Sequence, residues 1–248
     1  MELGGEAALV TGAAAGTGRA IALRLAADGA IVAVADVDGD GARRTVRAIE
    51  AAGGRARAFV ADMTDPDAVH RMVADAAPRI LVNNAGGGGH VPPHFPDAGP
   101  EEWGATLDLN LRGPMLATQL SLGPMRAAGG GAVVNVASTA GLGLADYVCP
   151  EYGAAKAGLI RFTSTLAPLR ERDGVRVNCI VPDWILTERA QAELAAMSAE
   201  ERAAAPEPLP LDEVADAVVA LIRDESLAGR VLVLRGGAPR RLLDPVEV

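Results

Sequence analysis

The chain has 248 residues, half of them apolar and only 3% aromatic, so its core must be built from Ala, Val, Leu and Ile. A net charge of −9 and a pI near 4.9 exclude the basic stripe that a nucleic-acid surface needs to neutralise phosphates. No apolar run approaches the roughly 18 residues that span a bilayer, and MELGGEAALV lacks the basic start of a secretory signal. Cys149 and Cys179 form neither a disulfide framework nor a metal-ligand spacing, so a reducing cytosol is expected.

Apolar runs then alternate with helical patterns. Ala7–Thr11 reads as a short buried strand, followed by a glycine-rich turn and a helix from about Thr17 to Ala27. Strand Ile31–Asp36 precedes a helix over Ala42–Ala52, and strand Ala56–Ala61 precedes one over Pro66–Ala76. Strand Ile80–Asn83 leads into the Gly/Pro-rich loop Gly86–Gly99. There His90 and His94 flank Val-Pro-Pro; their i, i+4 spacing resembles a helical metal pair, but two prolines forbid the helix, so no metal is expected. His70, on a predicted helix, is expected in solvent. A long helix over about Glu101–Ala127 precedes strand Ala132–Ala137, and a helix over about Glu151–Arg172 precedes strand Val175–Ile180. After a polar, Pro-containing stretch come helix Leu211–Arg223 and strand Arg230–Leu234. Nearly continuous apolar strands alternating with helices predict a parallel sheet covered on both faces. With no linker, repeat or composition break, residues 1–248 are expected to form one doubly wound, Rossmann-type α/β domain.

The first strand runs directly into Thr11-Gly12-Ala13-Ala14-Ala15-Gly16-Thr17-Gly18, which opens a helix. Glycines there allow a tight turn and let a pyrophosphate approach the N–H groups at the positive end of the helix. Asp36 ends the second strand, eighteen positions after Gly18, where a carboxylate would hold the ribose hydroxyls. A helix N-cap is the other use for Asp36.

Lys156 is the one lysine in the chain, against 22 arginines, and it lies four residues after Tyr152. A composition that otherwise chooses arginine keeps a compact ammonium here, whose pKa can move. A helix would place phenol and ammonium on one face. An unperturbed phenol has a pKa near 10, and bringing it to about 7 takes roughly 4 kcal/mol. One positive charge at about 4 Å supplies that amount at an effective dielectric near 20.

The spacing GxxxGxG, Asn83-Asn84-Ala85-Gly86 after the fourth strand, and Tyr152-x-x-x-Lys156 together resemble the short-chain dehydrogenase/reductase family, from about Ala7 to Gly237. The resemblance implies an NAD(H) cofactor held by Gly12, Gly16, Thr17, Gly18, Asp36, Asp62, Asn84, Ala85 and Gly86. Asp62 would contact adenine. Pro182, the Ile185 backbone and the Thr187 hydroxyl would meet the nicotinamide carboxamide, with Tyr152 and Lys156 also touching the cofactor. Asp36 favours NAD over NADP, because a 2′-phosphate would face a carboxylate with no arginine immediately after it. The catalytic set implied is Asn110, Ser138, Tyr152 and Lys156. Tyr152 would be the acid/base, Ser138 would hold the substrate oxygen, and Asn110 would hold a water that links the lysine to solvent. Asn110 interrupts an apolar stretch, and a buried amide needs a partner.

Two departures from the family pattern stand out. Asp183 follows Pro182 where glycine is usual, and Arg235-Gly236-Gly237 replaces Asp-Gly-Gly. Asp183 would either turn away or line the substrate pocket. Cys149 and Trp184 are candidate pocket walls, and the segment 187–211 would cover the substrate. The function expected is hydride transfer between NAD(H) and an alcohol or ketone. The alternatives are an NAD-sensing protein without turnover, and an epimerase or dehydratase, whose larger substrate domain the chain lacks. By the same resemblance, Glu101–Ala127 and Glu151–Arg172 would form the interfaces of a homotetramer, with a dimer as fallback.

Overall fold

A computed structural model describes residues 1–88, 92–143 and 148–243. His90 lies outside them. The strands are β1 (Ala7–Thr11), β2 (Ile31–Asp36), β3 (Arg55–Val60), β4 (Ile80–Asn83), β5 (Gly131–Val136), β6 (Val175–Pro182), β7 (Val231–Leu234) and β8 (Arg241–Leu242). They form one sheet in the order β3-β2-β1-β4-β5-β6-β7-β8, parallel except for the antiparallel β7–β8 pair. Strand order therefore reverses between β1 and β4, and the crevice of a doubly wound sheet opens at such a switch point.

Helices cover both faces, as the continuous apolar strands require. Alternation along β1 sends Ala8 and Val10 to one face and Leu9 to the other. The first face packs on α1 (Gly16–Ala27) and α10 (Leu211–Arg223) through Ile21, Leu25, Val214 and Val218, with α2 (Gly39–Ala51) beside them. The second packs on α3 (Pro66–Ala76) and α5 (Gly113–Ala127) through Val69, Val73, Ala117 and Met125. As expected, His70 on α3 is exposed.

Four segments differ from their predicted form. The long helix over Glu101–Ala127 is α4 (Pro100–Leu107) and α5 joined by a π-helical turn, Asp108–Arg112. Asn110 sits in that turn, and its Nδ2 donates to Thr106 O at 2.9 Å. The helix over Glu151–Arg172 is α6 (Pro150–Thr165), then α7 (Leu169–Asp173). Pro168 stands between them, where its missing N–H and its ring oppose a continuous helix. The polar stretch after Thr187 holds α8 (Glu188–Ala196) and α9 (Ala199–Ala204). Finally, β8 returns along β7. Gly236 makes that path possible, since a Cβ there would lie on the Glu207 carbonyl oxygen.

Candidate active site

The crevice begins where β1 and β4 end. Thr11 Oγ1 accepts from the N–H groups of Asn84 and Ala85 at 3.1 and 3.0 Å, and Asn84 Nδ2 donates to Thr11 O and Gly12 O at 2.9 and 3.1 Å. These bonds fix the β4 loop against the glycine-rich turn. No larger residue could replace Gly12 or Gly18: a Cβ on Gly12 would sit 2.8 Å from Ala85 Cα, and one on Gly18 would collide with the Gly12 carbonyl. Gly16 turns at φ +51° to start α1. This helix has no side-chain N-cap bond and no acidic residue in its first turn, which leaves its positive end to an anion.

Two adjoining cavities share Gly12, Ala15, Asn84 and Gly86 along their walls. The smaller, about 360 Å³, carries Asp36, Asp62 and Ala85. Asp36 Oδ2 accepts from Ala14 N–H at 2.9 Å and Oδ1 from Asp38 N–H at 3.0 Å. It is therefore anchored to the turn rather than used as a helix cap; Asp38 caps α2 instead. Asp62, exposed, accepts from Thr64 N–H and Oγ1, both at 2.8 Å. The glycine-lined turn, the uncapped helix end and the anchored carboxylate suit the pyrophosphate and ribose of a dinucleotide.

The larger cavity, about 520 Å³, has Ser138, Tyr152 and Lys156 in its wall, and Thr17, Pro182, Ile185 and Thr187 also line it. Ser138 follows β5 and accepts from Ala140 N–H at 3.2 Å, capping a single 3₁₀ turn, Thr139–Gly141. Lys156, one turn beyond Tyr152 on α6, is 3% exposed. Its Nζ donates to Val136 O at 3.0 Å and lies 5.5 Å from the Tyr152 ring centroid. Burial pushes Lys156 down to about 8, with nearby Cys179 pulling the other way.

Asn110 is fully buried behind this wall and does not line the cavity. The partner its amide requires is Gly87: Oδ1 accepts from Gly87 N–H at 3.0 Å and Nδ2 donates to Gly87 O at 2.9 Å. Gly86 is held between Asn110 Oδ1 and Lys156 Nζ, which a Cβ would approach to 2.8 and 3.0 Å. Across the mouth, Thr187 Oγ1 accepts from Ala190 N–H at 3.3 Å and starts α8. Trp184 lines the cavity as expected. Cys149 does not: it is fully buried at the start of α6, its sulfur within 4.8 Å of donor atoms of His94 and Glu151.

Sequence reasoning missed Thr139 and Arg189 on the cavity wall. Thr139 matters because its hydroxyl donates to Asp183 Oδ1 at 3.2 Å. Asp183 thus faces the cavity beside the turn that presents Ser138. Adjacency to Ser138 was the available signal for Thr139. Arg189 offered none beyond its place next to Thr187.

A doubly wound sheet with a glycine-lined turn at its switch point, and a buried lysine under a tyrosine at the same crevice, defines a dinucleotide-binding oxidoreductase class. The sequence profile described as short chain dehydrogenase matches residues 6–198, and the chain belongs to that family. It is 36% identical to a (2S)-[(R)-hydroxy(phenyl)methyl]succinyl-CoA dehydrogenase subunit of Thauera aromatica, over 96% of this chain and 98% of that protein. It is equally identical to cis-4-hydroxycyclohexanecarboxylate dehydrogenase of Sinomonas cyclohexanicum, over 93% and 95%. A 7α-hydroxysteroid dehydrogenase structure with NADH and 7-oxo glycochenodeoxycholic acid superposes with a TM-score of 0.86 at 28% identity, covering 98% of this chain and 97% of that one. Hydride transfer with a nicotinamide cofactor is the chemistry of this chain.

Proposed function

We propose that this protein is an NAD-dependent dehydrogenase of an alcohol, or reductase of the matching ketone, with Tyr152 as its acid/base. The observation that carries this reading is that Ser138, Tyr152 and Lys156 line the same cavity as Gly12 and Gly18. When bound, the nicotinamide supplies or takes up the hydride. Ser138 holds the substrate oxygen. Tyr152 gives that oxygen a proton on reduction and takes it back on oxidation, while the Lys156 ammonium favours the phenolate between turnovers. Asn110 braces Gly86 and Gly87, the backbone between itself and the lysine. Thr187 and Ile185 orient the carboxamide, and α8 and α9 cover the substrate. No helix among the described residues is long and apolar enough to cross a membrane, and the cytoplasm remains our assignment. Oxidation of an alcohol panel, followed as reduced cofactor, tests the reading.

Cofactor choice follows from Asp36. The nearest following arginines are engaged elsewhere, Arg44 with Asp38 at 3.3 Å and Arg43 with Asp40 at 2.6 Å. NAD is expected to be used far better than NADP. Asp36→Ala should narrow the gap by removing the repulsion of a 2′-phosphate. Side-by-side kcat/KM values decide; a wild type that prefers NADP would reverse the assignment.

Asp183 should select substrates. Its position on the cavity wall favours substrates that bring a hydroxyl or amine, whereas an anionic group about 4 Å away would be repelled by roughly 4 kcal/mol at an effective dielectric near 20. Asp183→Gly, assayed with matched neutral, cationic and anionic substrates, should improve the anionic one selectively. Unchanged relative kcat/KM would leave Asp183 as a brace for Thr139 only.

For assembly we propose a homotetramer. Helices α5 and α6 expose an apolar groove of about 590 Å³, with Met115, Leu116, Leu122, Phe162 and Leu166 on its walls. Light scattering should give four times the chain mass of 25.3 kDa; a monomer at micromolar concentration would refute the assignment.

A further inference from the structure

Three donor groups meet outside the cavity, where the loop after β4 touches the start of α6. His94 Nδ1 lies 3.0 Å from Glu151 Oε1, and Glu151 Oε2 accepts from Phe95 N–H at 3.4 Å. Cys149 brings its sulfur to the same point. The donor atoms of His94, Cys149 and Glu151 all lie within 4.8 Å of one another. Cys149 is fully buried and Glu151 is 7% exposed, while His94 keeps one edge toward solvent. Burying a carboxylate is costly unless it is paired. Here the Phe95 N–H takes one carboxylate oxygen, and the other meets His94, a group that also binds metals.

We propose that His94, Cys149 and Glu151 form a site for a zinc-class divalent cation that fastens the loop to the helix carrying Tyr152. One imidazole nitrogen, one thiolate and one carboxylate make a mixed N/S/O set suited to zinc, and three protein ligands leave a fourth position for water. Magnesium and calcium would want oxygens throughout. Zinc bonds of about 2.0–2.3 Å set tetrahedral donors roughly 3.3–3.8 Å apart. Side-chain adjustments of about 1 Å therefore bring the three groups into range. A thiolate and a carboxylate together cancel the charge of the cation, so the loaded site adds no net charge to a buried position.

Binding breaks the Cys149 S–H bond and forms a sulfur–metal bond, with the proton leaving to solvent. The Nδ1 proton of the neutral His94 imidazole, shared with Glu151 in the metal-free site, moves to Nε2 through solvent; the His94–Glu151 hydrogen bond then gives way to two metal bonds, and no electron changes hands. Spacing along the chain could not show the site, because His94 and Glu151 are 57 positions apart.

The test is a titration of the untagged full chain with Zn²⁺ and, separately, Co²⁺. We expect one cation per chain at micromolar affinity or tighter, with release of about one proton seen by calorimetry in two buffers. Cobalt should show a thiolate charge-transfer band, and crystals soaked in zinc should give an anomalous peak among the three side chains. Cys149→Ser and His94→Gln should each weaken binding by about tenfold or more. Absence of saturable binding by the wild type, or binding retained in either variant, would overturn the proposal and leave a hydrogen-bonded clasp. These readouts use no turnover, so their failure would not touch the oxidoreductase reading.

Discussion

Replacing Tyr152 with phenylalanine is expected to lower kcat by about 10²–10⁴-fold, the range a positioned acid/base supplies. Phenylalanine keeps the ring that lies beside Lys156 and removes only the hydroxyl, so the wall of the cavity should hold its shape. NADH binding should persist, since the glycine-rich turn and Asp36 are untouched, and it can be read by quenching of Trp184, which faces the cavity. A variant with near-normal turnover would show that the proton comes from another group.

Lys156 carries the second large effect, and its two substitutions separate charge from geometry. Lys156→Arg keeps a positive charge but should lose at least about 100-fold in kcat. The ammonium is enclosed between Val136 O and Gly86, and a planar guanidinium neither fits that space nor gives up a proton. Lys156→Met should also be inactive, yet more stable at neutral pH. Lys156 stands at about 8 rather than 10.5, chiefly through burial. Below pH 8 the group is charged in both folded and unfolded chains, and folding bears the cost of burying it, roughly 3 kcal/mol. Between pH 8 and 10.5 the unfolded chain binds the proton that the folded chain has lost, so wild-type stability rises with pH. The advantage of methionine should therefore fade across that window, measured by urea unfolding at pH 7 and above pH 10. An active arginine variant, or a methionine variant less stable at pH 7, would contradict this role for the lysine.

The parts of the molecule legible in the sequence are those that local chemistry decides. β1, β2 and β4 begin and end where their apolar runs do, and α3 fits between Pro66 and its left-handed cap at Ala77. The glycine-rich turn, Asp36 and the Tyr152–Lys156 pair were readable because each has a fixed offset from an element. The π turn at Asn110 was not, because it accompanies a bond to Gly87, 23 residues away. The break before α7 was readable in principle from Pro168. So was α9, whose Ser198 and Glu201 form a reciprocal capping box of the Ser-x-x-Glu type. β8 is two residues long and exists only through its pairing with β7. The cluster of His94, Cys149 and Glu151, and the contact of Asp183 with Thr139, needed the folded chain.

The central claim is NAD-dependent hydride transfer to and from an alcohol carbon, with Tyr152 managing the proton. Its most direct test is oxidation of a broad panel of secondary alcohols with NAD, followed as the appearance of reduced cofactor, in wild type and Tyr152→Phe side by side. Reduced cofactor should accumulate with at least one class of alcohol in the wild type and fail to do so in the variant. Cofactor binding without any reduction by any alcohol, and without oxidation of NADH by the corresponding ketones, would contradict the account and favour a protein that binds the dinucleotide without turnover.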